Sequence, residues 1–145
     1  MTLDLTSPSS GSRRLAARSA GALAVFVGGL VLVGWALDIT ALKSILPGWV
    51  TVKPNTALAF VLTGLALLSA SRPPGPSRPR LAALVSRGGR LCALVAGLIG
   101  LLTLGEYLFG WDAGIDQRLF PEPAGAVATS NLGRMAPDTA LCFVL

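Results

Sequence analysis

From Ser19 to Leu37 the chain carries no ionisable side chain. Few sequence features restrict a fold more. A segment buried in hydrocarbon must satisfy its own backbone N–H and C=O groups, and a helix does so within the segment. At 1.5 Å per residue this run is about 28 Å long, close to the ~30 Å bilayer core. A secretory signal has similar flanks, but its apolar region is about 7–15 residues and ends in a small-x-small cleavage pattern. This run is longer and ends in Gly34-Trp35-Ala36-Leu37-Asp38. It reads as a transmembrane helix.

Two more runs resemble it. Asn55–Ala70 carries no charge at all, and Leu91–Phe109 has one, Glu106. Only 13% of the chain is charged, about half the share usual in soluble domains, so the rest cannot supply a solvated surface. The expected class is an all-α membrane protein.

The chain also repeats itself, and a repeat determines how the runs are related. Lys53-Pro54-Asn55-Thr56-Ala57-Leu58-Ala59-Phe60-Val61-Leu62 returns in the second half as Ala136-Pro137-Asp138-Thr139-Ala140-Leu141-Cys142-Phe143-Val144-Leu145, with seven of ten positions identical. Gly34-Trp35 likewise returns as Gly110-Trp111. The expectation is a duplicated two-span unit, residues 19–70 and 91–145, joined by a loop at 71–90. Spans are expected at 19–37, 55–70 and 91–109, with the start of a fourth at 138–145. Eight residues rise only about 12 Å, so this span is expected to continue past Leu145 in a longer protein. Between the first two spans, Ile39, Leu42, Ile45 and Leu46 recur at helical spacing before Pro47-Gly48, which predicts a short amphipathic turn in the interface.

Charge sets the orientation. The N-terminal segment 1–18 and loop 71–90 hold Arg13, Arg14, Arg18, Arg72, Arg78, Arg80, Arg87 and Arg90 against one acid, a net +7; the other segments sum to −2, giving the chain's +5. The excess of basic residues on one side places those two segments, and with them the N-terminus, in the cytoplasm of a multi-pass membrane protein. Both units then start on the same side, as parallel repeats about an axis along the membrane normal. No aromatics interleave the arginines for base stacking, so nucleic acid is not an expected partner; the lipid bilayer is. The absence of His removes imidazole-based catalysis and metal ligation from this stretch. No catalytic motif, metal centre or cofactor-binding loop is expected.

Candidate sensing residues are few. Glu106 is the one ionisable group inside an apolar run, and such groups are costly, although it stands about 6 Å from the helix end and reaches interfacial water. Tyr107 adjoins it. Asn55 and Asp138 are expected as helix caps, with the alternative that two helix starts face each other and attract a ligand. Trp35, Trp49 and Trp111 are expected as interfacial anchors. Asp112, Asp116 and Glu122 match no calcium-loop spacing and are expected on a solvated face. Cys92 and Cys142 lie at different depths and are not expected to pair.

Taken together, Gly34-Trp35, Asp38-Ile39, Leu46-Pro47-Gly48 and Lys53-Pro54-Asn55-Thr56-Ala57-Leu58 resemble the N-terminal multi-span membrane region of bacterial PAS-containing sensor histidine kinases. So do Glu106-Tyr107-Leu108-Phe109-Gly110-Trp111-Asp112, Gly114-Ile115-Asp116-Gln117 and Gly133-Arg134-Met135-Ala136-Pro137-Asp138-Thr139. Similar regions precede diguanylate cyclases, so the membrane module of a diguanylate cyclase or phosphodiesterase is an alternative. The resemblance implies a sensor or anchor module in the bacterial inner membrane, a homodimeric parent, and catalytic domains beyond Leu145. A stand-alone oligomeric or transporter-like protein is the alternative from another class.

Overall fold

The computed structural model describes residues 10–44, 50–72, 79–122 and 131–145. They form five helices and, among the described residues, no strand: α1 (Ser10–Ala36), α2 (Thr40–Lys43), α3 (Pro54–Ala70), α4 (Pro79–Phe109) and α5 (Pro137–Val144). α1 and α4 are long and apolar enough to cross a membrane; α3, at 17 residues, is shorter. Three complete spans are therefore not what the helix lengths display.

Both long helices begin earlier than the apolar runs do. α1 takes in Arg13, Arg14 and Arg18, and α4 takes in Arg80, Arg87 and Arg90, all exposed. Arginine is a good helix former, and Pro79 suits a first helical turn because its missing N–H would have no partner there. Arg72 is exposed just after α3, while Arg78, Trp49 and the Pro47-Gly48 break lie outside the described residues. The expected amphipathic turn amounts, as far as it is described, to the single turn of α2.

The helices pack as antiparallel neighbours in chain order, and glycine sets how closely. A Cβ on Gly28 would stand 2.6 Å from the Ala57 carbonyl oxygen, and one on Gly64 would stand 2.6 Å from that of Gly21, so α1 and α3 touch backbone to backbone. On α4 the buried positions Gly89, Ala96, Gly100, Thr103 and Glu106 form one stripe. Small residues of this kind let helices approach closely without a large core. A Cβ on Gly100 would meet the Ala140 oxygen at 2.7 Å. Ala57 and Ala140 are counterparts in the repeat, so each half uses a glycine of its rising helix against the same alanine of its returning helix.

The pseudo-symmetry has a visible axis. Phe60 and Phe143, also counterparts, meet edge to face with centroids 5.3 Å apart. Contact between equivalent residues is what a two-fold relation produces. It is not perfect. Gly28 precedes Trp35 by seven residues, whereas Gly100 precedes Trp111 by eleven, so the second rising helix is displaced by about one turn. Accordingly Trp35 lies within α1, while Trp111 follows the end of α4.

That displacement alters the expected anchors. Trp35 is not an interfacial belt residue: it is 8% exposed, donates its indole N–H to the Val52 carbonyl at 2.9 Å and stacks on Phe120 at 6.3 Å. With Val31, Ala57, Leu32 and Val52 it makes the one apolar core cluster among the described residues. Trp111 is half-exposed. Just beyond α1, Asp38 takes a left-handed φ of 55° while Ile39 N–H reaches back to the Gly34 oxygen, closing the helix. The Lys43 ammonium pairs with the Asp38 carboxylate and holds it below the usual carboxylate range. Cys92 and Cys142 are free thiols.

Candidate functional site

The site lies at the end of the bundle where α1 and α4 finish and α3 and α5 begin. Its first part comes from the approach to α3. Lys53 precedes Pro54, whose fixed φ starts the helix and needs no N–H partner. Lys53, not Asn55, occupies the cap position, and no side chain caps either α3 or α5. A proline at the first turn removes one of the donors that a cap would serve. Asn55 is used differently. It is buried, accepts the Thr56 N–H at 2.9 Å and donates its amide to Asp116 Oδ1 at 3.1 Å. Asp138, its counterpart, is exposed and stands outside the site.

The second part is the segment after α4, which folds back over the start of α3. Asp116 and Glu122 are both buried, contrary to the solvated face expected from their spacing. Glu122 Oε1 accepts from the Lys53 ammonium and from Thr51 Oγ1 at 3.2 Å, and its Oε2 accepts the Gly133 N–H at 2.6 Å. Burial on its own would raise the Glu122 carboxyl, but the Lys53 and Gly133 donors outweigh it and hold the group below its ordinary value. Gly133 is required here: its φ is +73°, and a Cβ would collide with the Asp116 carbonyl oxygen.

Arg134 is the hub. Its Nε donates to Asp116 Oδ2 at 2.7 Å and lies 3.2 Å from Glu106 Oε2; its Nη2 is 3.8 Å from Asp112 Oδ1. Burial would lower the guanidinium, and the hydrogen bond and charge of Asp116 overcome that and raise it. The same group lies 5.5 Å from the centre of the Tyr107 ring, and the Tyr107 hydroxyl donates to the Met135 carbonyl at 3.2 Å. Met135 is wholly buried two residues before α5. Glu106 is 1% exposed, and its Oε1 accepts the Ala113 N–H at 2.8 Å.

The chain matches no family model, no curated protein and no solved structure. Function must therefore be argued from these groups. They join three of the four expected sensing residues, Glu106, Asn55 and Tyr107, and add Lys53, Asp112, Asp116, Glu122, Gly133 and Arg134. Spacing did not reveal the additions, because their partners are 69 residues apart in Lys53–Glu122 and 61 in Asn55–Asp116. The available signal was scarcity: in a chain so poor in charge, opposite charges at the same end have few other partners. Between the starts of α3 and α5 lies a cavity of 470 Å³ bordered by Lys53, Thr56, Phe60, Tyr107, Arg134 and Thr139. Desolvated ion pairs beside this cavity are an arrangement that can bind a ligand and couple the helix ends mechanically.

Proposed function

We propose that this chain is the membrane-embedded sensory module of a bacterial signal-transduction protein, most simply a sensor histidine kinase whose catalytic domains follow Leu145. In this reading three spans and the start of a fourth sit in the inner membrane, the arginine-rich segments face the cytoplasm, and the intact parent works as a homodimer. The many exposed leucines and valines of α1 and α4 suit lipid contact, since a core helix of a soluble domain would be mostly covered.

The observation that carries the sensory reading is the buried ionic network itself. A plain anchor needs no desolvated charges, and each of these is costly to bury. Here they link the start of α3, the end of α4 and the residues just before α5. A change at Arg134 moves Gly133 and Met135 directly, and through them α5. Since α5 touches its counterpart α3 at Phe143 and Phe60, the mechanism is a shift or rotation of α5 against α3 that is passed to the domains beyond it.

The test uses the full-length gene product in nanodiscs, with the sequence beyond Leu145 in place. Autophosphorylation that changes at least about threefold in Asn55→Ala and Glu106→Gln, but not in Asp138→Asn, supports the reading. Unaltered output in the first two, in protein shown to be folded, sinks it.

A further inference from the structure

Arg134 Nε carries a single hydrogen, and that hydrogen is committed to Asp116 Oδ2. Glu106 Oε2, although 3.2 Å away, therefore receives no hydrogen bond, in a side chain with 0% exposure. One turn earlier on the same buried stripe, Thr103 Oγ1 is also enclosed and without a partner. Buried oxygens lacking donors are rare in folded proteins and ask for an explanation. The charge count points the same way. Glu106, Asp112 and Asp116 bring −3 and Arg134 brings +1, leaving −2 around one guanidinium.

We propose that Glu106, Asp112 and Asp116 bind one hard divalent cation, calcium or magnesium, at the end of α4. The distances allow it. One oxygen from each of the three carboxylates can be chosen so that all lie within 4.8 Å of one another. Two oxygens each about 2.4 Å from a calcium ion are at most about 4.8 Å apart. A +2 ion cancels the local −2 with Arg134 kept in place, and Glu106 Oε2, ion-paired to Arg134 but receiving no hydrogen bond, keeps lone pairs for it. Asp112, whose side chain is 76% exposed, is the entry point and leaves room for the waters that complete a six- to eight-fold shell. The ion draws Glu106 of α4 and Asp116 of the following segment together against Arg134, next to the residues that lead into α5. That the ion is the signal rests on the sensory reading above; its binding does not.

The whole chain, purified and placed in nanodiscs, is titrated with terbium as a calcium substitute, exciting tryptophan. Trp111 neighbours Asp112, and a Cβ on Gly105 would lie 3.5 Å from its Nε1, so a bound terbium ion is within range for energy transfer. The expected result is saturable emission, displaced by calcium with a dissociation constant on the order of 10⁻⁴ to 10⁻³ M. Asp112→Asn, which keeps the Oδ1 that accepts the Gly114 N–H at an exposed position, weakens binding at least about tenfold, and Asp38→Asn does not. Emission that fails to saturate, or that Asp112→Asn leaves within twofold of the parent, overturns the site. In the full-length protein, calcium binding that is normal while kinase output ignores the ion keeps the site and removes the sensory reading.

Discussion

Changing Glu122 to Gln tests whether the segment after α4 is held by charge. In the folded chain the Lys53 and Glu122 side chains are 7% and 1% exposed, so the pair is desolvated. Removing one member of a buried ion pair leaves the other charge uncompensated, at about 3–5 kcal/mol. Glutamine keeps the shape and one acceptor oxygen for Gly133, so the low end of that range, about 3 kcal/mol, is expected. The double variant Lys53→Met with Glu122→Gln removes both charges and should recover all but about 1 kcal/mol, because apolar replacement of a buried pair is often nearly neutral. The assay is denaturant unfolding in micelles followed by tryptophan emission, since Trp35 stacks on Phe120 in the same segment. Glu122→Gln within about 0.5 kcal/mol of the parent, or a double variant no more stable than the single one, would refute the reasoning. The pH dependence follows from the lowered Glu122 carboxyl. Its stabilisation is present above the ordinary carboxyl value of 4.5 and is lost as pH falls below that, through the folded value. Glu122→Gln should flatten this acid limb.

Three further outcomes are expected. Gly133→Ala combines a left-handed backbone with a collision at the Asp116 oxygen and should cost about 1–3 kcal/mol, read as a lower unfolding midpoint with the slope unchanged. Gly64→Val adds bulk where even a Cβ would be 2.6 Å from the Gly21 oxygen; a loss of about 1–3 kcal/mol, with a wider α1–α3 spacing by spin-label distance measurement, is expected. Trp35→Phe keeps the stacking surface but deprives the Val52 carbonyl of its donor. It should cost about 1–3 kcal/mol, measured by the same unfolding titration with emission now from the remaining tryptophans.

The helical character of the chain and the two long apolar helices were legible in the charge-free runs, and the repeat identified Phe60 and Phe143 as counterparts without showing that they meet. The arginine-bearing turns at the start of α1 were not, because charge marks where lipid ends and not where a helix ends. Trp35 shows a second limit. Its Gly-Trp match with Trp111 implied a shared position, but a one-turn displacement of the second rising helix buries one indole and leaves the other half-exposed. At the site, Glu106 stood out by its position in an apolar run, whereas Asp116 and Glu122 looked like ordinary loop acids. Their burial depends on Asn55 and Lys53 in the other half, and no local pattern encodes a pairing between residues so distant along the chain.

The order in which the chain is made gives the network a schedule. Glu122 leaves the ribosome 69 residues after Lys53, a delay of roughly 3–14 s at typical synthesis rates. Arg134 comes 18 residues after the Asp116 it binds. α1 and α3 can meet through glycine as soon as both exist, but the acids after α4 cannot be sealed until Gly133 and Arg134 follow them. The last residues before α5 therefore act as the fastener of the whole assembly, added when everything they close over is already in place.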